Sequence, residues 1–178
     1  MKVIFLDIDG VMNSVYDRFS IKLETEEHFL LLKELVDISS AKIVLSSSWR
    51  ISERNRNEIQ DRLKDFGMEF IDFTPVHKHG YVKRGEEIRE WLEKHPEVEN
   101  FVILDDEGDM CEFKEKHLVQ TNMFEGFTKR EMVDAWRILN GDDVPSRWHF
   151  YKKNRDKAER KFRKWVKKEE ESSKDKFS

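Results

Sequence analysis

The sequence predicts a doubly wound α/β protein built on a mainly parallel sheet. Three observations carry this expectation. Short apolar runs, Val3-Ile4-Phe5-Leu6, Ile43-Val44-Leu45 and Phe101-Val102-Ile103-Leu104, recur without polar alternation, as in strands buried on both faces. Between them lie segments whose apolar residues repeat at helical spacing. Each run also ends on a polar residue capable of chemistry, namely Asp7, Ser46 and Asp105. Open α/β sheets bind ligands beyond the carboxyl ends of their strands.

The first strand leads directly into Asp7-Ile8-Asp9-Gly10, and then a loop from Asn13 to Ser20. Thr25 to Ile38 reads as a helix with Thr25 as its cap and Phe29, Leu32, Leu35 and Val36 on one face. Ala41 to Leu45 is the second strand. Ser52 caps a helix over Glu53 to Phe66 that turns Ile59, Leu63 and Phe66 inward and stops at Gly67. Met68 to Phe73 forms a third strand closed by Thr74-Pro75, and a loop carrying His77 and His79 comes next. Gly85 to Lys94 is a helix with Ile88, Trp91 and Leu92 on one side. Asn100 to Leu104 is the fourth strand and Leu118 to Thr121 the fifth. Thr128-Lys129-Arg130-Glu131 has the spacing of a capping box, and the helix after it presents Met132, Val133, Ala135, Trp136 and Leu139 to the core before Asn140-Gly141 stops it.

Composition narrows the function classes. At 178 residues the chain can bury a real core, and its net charge of −4 shows that it is not a polycation as a whole. The single cysteine, Cys111, excludes a disulfide framework and a thiolate zinc cluster and suits a reducing compartment. No run approaches a signal sequence or a membrane span, so a cytoplasmic protein without membrane contact is expected. Residues 1–143 form the expected catalytic domain. Residues 144–178 form a basic extension in which Ala158, Phe162, Trp165 and Val166 recur at helical spacing among Lys and Arg. Aromatics among basic residues suit a nucleic-acid surface, and equally a helix that packs its apolar stripe on the domain.

The chemistry concentrates in four places. Buried carboxylates are costly unless ionised against a cation, and Asp7 and Asp9 share one face of an extended chain, which suggests a hard cation such as Mg²⁺. The set Asp7-Ile8-Asp9-Gly10, Ile43 to Ser46, Lys83-Arg84 and Phe101 to Asp106, in that order, resembles the haloacid dehalogenase-like (HAD) phosphohydrolase superfamily. More narrowly, Phe5-Leu6-Asp7-Ile8-Asp9-Gly10-Val11, Ser46-Ser47-Ser48-Trp49-Arg50 and Leu104-Asp105-Asp106 are similar to the small HAD domain of Swiss Army Knife RNA-repair proteins.

That resemblance implies a HAD-like Rossmannoid core and a set of roles. Asp7 would be the nucleophile and a metal ligand. Asp9 would be the general acid and base, its backbone carbonyl also on the metal. Ser46, with Ser47 as its neighbour in register, would bind the substrate phosphate. Arg84 or Lys83 would neutralise nucleophile and phosphate. Asp105 would ligate Mg²⁺, with Asp106 or the more distant Asp109 as second acid, Asp109 reading more simply as an acidic loop residue. From its residue type alone Arg50 can fork onto a phosphate, and Trp49 can stack a base or serve as a core tryptophan. The intervals between motifs are too short for a folded cap, so an open site is expected. The implied function is a Mg²⁺-dependent phosphatase that hydrolyses phosphate monoesters through an aspartyl-phosphate. Its substrates would be nucleic-acid ends or nucleotides. The alternative is a non-catalytic HAD-fold module that binds nucleic acid or acts as an adaptor.

Overall fold

In the computed structural model, residues 1–14, 25–77 and 82–144 are described. They contain five strands, β1 (Lys2–Leu6), β2 (Lys42–Leu45), β3 (Phe70–Phe73), β4 (Asn100–Asp105) and β5 (Leu118–Gln120). Four helices accompany them: α1 (Thr25–Ser39), α2 (Glu53–Asp65), α3 (Arg84–Glu93) and α4 (Lys129–Leu139). The strands form one sheet in the order β3-β2-β1-β4-β5, and every neighbouring pair is parallel. This is the doubly wound core expected from the apolar runs.

The period of two along each strand sorts the sheet into two faces. Ile4 and Leu6, Ile43 and Leu45, and Val102 and Leu104 pack with Phe29, Leu32 and Leu35 of α1, Ile59 and Leu63 of α2, and Met132, Ala135, Ile138 and Leu139 of α4. Val3 and Phe5, Val44, and Phe101 and Ile103 pack with Ile88 and Trp91 of α3. Right-handed crossovers explain this division. The chain steps from β1 to β2 to β3 in one direction, which puts α1 and α2 on one face. It then returns past β1 to β4, and the same handedness puts α3 on the other. The strand order reverses between β1 and β4, which makes their carboxyl ends the switch point of the sheet.

Most local expectations hold, with informative exceptions. Ser52 accepts from the Asn55 amide at 3.4 Å, and Glu131 accepts from the Thr128 amide at 3.2 Å to close the capping box. Val133 and Trp136, expected in the core, are instead 42% and 41% exposed. Positions 132, 135 and 139 already fill the inward stripe of α4, and a step of one residue turns a side chain about 100° away. Met68 is buried but precedes β3, because its amide donates to Leu63 O to finish the end of α2. A 3₁₀ turn at Ser48–Ile51, unforeseen from sequence, comes after β2. The basic helix expected after Val144, the partition there, and His79 lie outside the described residues. Among the described residues no helix is long and apolar enough to cross a membrane.

Candidate active site

The sheet ladder runs one residue past several strand ends. Asp7 N donates to Leu104 O at 2.9 Å, Ser46 N to Leu6 O at 2.9 Å, Thr74 N to Leu45 O at 3.0 Å and Thr121 N to Asp105 O at 3.0 Å. The pleat therefore persists into the polar residues. Asp7 continues the alternation of Val3 and Phe5, and Asp105 that of Phe101 and Ile103, toward the α3 face. Asp7 is 5% exposed and Asp105 fully buried.

Carboxylate oxygens of Asp7, Asp105 and Asp106 lie within 4.8 Å of one another. Burial first, and repulsion from Asp7 second, push the Asp105 carboxyl well above its ordinary range. Asp7 is raised too, mainly by burial, against the opposing pull of Arg84 and of hydrogen bonds from Ser47 and the Ile8 amide. Among the described residues Asp105 Oδ2 has no hydrogen-bond partner, although its other oxygen accepts from Glu107 N at 2.9 Å. A buried carboxylate oxygen without a hydrogen bond, facing two further carboxylates, is a donor set that could hold a hard divalent cation. Asp106 reaches this cluster because Gly10 has no side chain. A Cβ at Gly10, where φ is +79°, would lie 2.4 Å from Asp106 Cγ. Thr121 Oγ1 holds the same turn by donating to Gly10 O at 2.7 Å.

Arg84 is the cation among these acids. Its Nη1 donates to Asp7 Oδ1 at 3.3 Å and to the Ser46 carbonyl, and lies 3.6 Å from Asp105 Oδ2. Burial alone would lower the guanidinium pKa, but Asp105 and then Asp7 outweigh it and raise it above its ordinary value. Lys83, the alternative for this position, is exposed and contributes backbone to the helix start. Arg84 is the first residue of α3, and Asp109 fixes that end: its Oδ2 accepts from Arg84 N at 3.3 Å and its carbonyl from Gly85 N at 3.2 Å. Asp109 thus caps α3 and is not in the carboxylate cluster. The approach is close, since a Cβ at Gly85 would lie 2.4 Å from the Met110 carbonyl carbon. Gly85→Ala is expected to cost about 1–3 kcal/mol of stability by wedging α3 off this loop. A melting curve checks this; an unchanged Tm would show that the loop yields freely.

The segment after β2 separates three residues that sequence left together. Ser46 Oγ is buried and has no partner among the described residues. The Ser47 hydroxyl is engaged, bonding to Asp7 and accepting from Trp49 N at 3.3 Å. Arg50, expected to fork onto phosphate, is instead a buried brace. Its Nη1 donates to Ser46 O and Ser47 O at 3.2 and 2.8 Å, and its Nε to Thr74 O at 3.1 Å. Its Nη2 bonds to Pro75 O at 3.1 Å and pairs with Glu87 at 2.5 Å. These partners use the five guanidinium protons, so none remains for a ligand. Burial lowers the Arg50 pKa, and only an arginine keeps its charge there. Trp49 packs partly buried against the α1–α2–α4 core, and its Nε1 donates to Asp9 Oδ2 at 2.9 Å. The Asp9 carboxylate is thus turned to Trp49 and is not in the three-acid cluster.

Sequence reasoning did not find the Ser47–Asp7 bond, the Trp49–Asp9 bond or the capping role of Asp109. Each joins residues 25 to 40 positions apart with no periodic signal, except that a glycine beside Arg84 hints at close packing.

Fold and site together define an α/β protein with an acidic, arginine-bridged cluster at the switch point of a parallel sheet. The family described as the HAD domain in Swiss Army Knife RNA repair proteins matches residues 3–132, and the chain belongs to that family. No curated protein and no solved structure matches it.

Proposed function

We propose that this chain is a Mg²⁺-dependent phosphomonoesterase that works through an aspartyl-phosphate on Asp7. The observation that carries the proposal is the convergence of Asp7, Asp105 and Asp106 on one point with Arg84 among them. Membership of a HAD family supports phosphohydrolase chemistry in general.

The residues divide the work as phosphoryl transfer requires. Asp7, oriented by Ser47 and the Ile8 amide, attacks phosphorus in line. Arg84 screens the repulsion between its carboxylate and the phosphate. The Ser46 hydroxyl, which has no partner among the described residues, donates to a phosphate oxygen. Asp9 gives a proton to the leaving oxygen and later takes one from water. Mg²⁺, held by Asp7, Asp105, Asp106 and the Asp9 carbonyl, would supply neutralisation of phosphate charge. Asp9 also sets the reaction type, because a phosphate ester leaving group needs a proton whereas a halide does not.

The substrate class we propose is a phosphorylated nucleic-acid end, with a mononucleotide next. The RNA-repair family and the basic, aromatic composition of residues 144–178 support it. We place the protein in the reducing cytoplasm, consistent with one unpaired cysteine. The test is phosphate release with Mg²⁺ from 3′- and 5′-phosphorylated oligonucleotides, nucleotides and an aryl phosphate. Inactivity on all of them with intact Mg²⁺ binding would favour a non-catalytic adaptor. RNA binding that is steeply salt-dependent and lost on truncation at Val144 would assign the extension to nucleic acid.

Cation binding has a defined pH dependence. The raised values of Asp7 and Asp105 mean that, without a cation, these two groups hold more protons in the folded chain than in the unfolded chain from about pH 4 up to their raised values. Their contribution to stability then falls as pH rises through those raised values. Mg²⁺ replaces the protons, so its stabilisation grows with pH. The rise in Tm on adding Mg²⁺ is expected to be larger at pH 7.5 than at pH 5 and to be reversed by EDTA. A rise independent of pH would exclude these two carboxylates as ligands.

A further inference from the structure

We propose that Trp49 is a positioning residue for proton transfer by Asp9, holding the carboxyl so that its mobile proton sits on Oδ1. The proposal rests on the phosphatase reading above. Three observations carry it.

The first is the contact itself, an indole N–H donating to Asp9 Oδ2 at 2.9 Å. An indole nitrogen only donates, so the oxygen it faces must accept. The carbonyl-type oxygen of a protonated carboxyl is its better acceptor, so this contact favours the proton of Asp9 on the other oxygen. A carboxyl that offers the wrong oxygen to the leaving group loses the in-reach geometry that general acid catalysis needs.

The second is the stiffness of the arm. Trp49 lies in the Ser48–Ile51 turn with its own amide on Ser47 Oγ at 3.3 Å. Arg50, next in the chain, ties that turn to Ser46 O, Ser47 O and Thr74 O. The indole packs against the core beneath it. The donor is thus supported by a braced turn and a packed ring, as precise positioning requires.

The third is the arrangement across the strands. Ser47 supports Asp7 and Trp49 supports Asp9, so one short segment after β2 orients both carboxylates of the Asp7-Ile8-Asp9 pair. The Arg50–Glu87 pair anchors that segment to α3, which carries Arg84.

The proton has a closed path in each half-reaction. Asp7 forms an O–P bond as the P–O bond to the leaving group breaks, and the proton on Asp9 Oδ1 passes to the leaving oxygen, giving an alcohol and aspartyl-phosphate. Water oxygen then bonds to phosphorus, the bond to Asp7 breaks, and a water proton returns to Asp9. Trp49 keeps its proton throughout.

Trp49→Phe tests this, because it retains most ring packing and removes the donor. An alkyl phosphate needs a proton on its leaving oxygen far more than p-nitrophenyl phosphate does. The variant is expected to lower kcat/KM on both, but by about tenfold more on the alkyl ester. Equal loss on both esters, or no loss, would overturn the proposal and assign Trp49 a packing role. Absence of Asp7-dependent turnover in the unaltered protein would instead sink the phosphatase reading. A measurement without turnover separates the two. The Trp49 indole ¹H–¹⁵N resonance, identified by its loss in Trp49→Phe, is expected to shift in Asp9→Asn. An unmoved resonance would remove the contact and the proposal with it.

Discussion

Asp7→Asn is expected to abolish phosphate release, by more than about 10³-fold in kcat, while the fold survives. Asn fills the same volume and can still accept from Ser47, but its amide cannot form the acyl-phosphate. The same substitution is expected to leave Tm unchanged or to raise it at pH 7.5 without Mg²⁺. The reason is the sign of the Asp7 shift: burial disfavours its charge, so a neutral side chain relieves a cost that grows as pH rises. The two readouts together are diagnostic, because a variant that is inactive through unfolding cannot also be more stable. Turnover that persists in Asp7→Asn would refute the nucleophile assignment.

Arg84→Met is expected to damage both activity and stability. It leaves Asp7 and Asp105 facing each other without their shared guanidinium. Removing one partner from a buried ionic cluster costs about 3–5 kcal/mol. Proton uptake offers the acids an escape, so the loss is expected to be largest at pH 8 and smaller at pH 5, and to be partly recovered by Mg²⁺. Activity is expected to fall about 10²–10³-fold, the scale of losing a cation from a transition-state site. Lys83→Met is the matched control. The Lys83 carbonyl, not its side chain, serves α3, so the change is expected to lie within about 0.5 kcal/mol. Equal stability losses at positions 83 and 84 would show that helix-start charge, and not the bridge to the acids, is what matters.

Much of the site is legible in the sequence because its parts are encoded locally. A buried strand is a continuous apolar run, and the residue after its last apolar position lies at the sheet's carboxyl edge. Asp7, Ser46 and Asp105 are readable on that basis. Lys83 and Arg84 cannot be separated in this way, because one residue of helix register decides which side chain turns inward, and Asp109 sets that register from 25 positions away. Arg50 misleads for a related reason. Its type says what it can bind, but the carbonyls of Ser46, Ser47, Thr74 and Pro75 and the carboxylate of Glu87 have already claimed it.

Local pattern alone is enough to establish the class of sheet, the inward faces of α1, α2 and α3, and the edge at which the acids gather. Periodicity and strand ends are properties of neighbouring residues, and burial enforces them wherever they occur. Long-range packing was needed to make Arg84 the bridge between Asp7 and Asp105, Arg50 a brace, and Trp49 the holder of Asp9. A buried donor takes whichever acceptor packing brings within about 3 Å, and no run of adjacent residues records that choice.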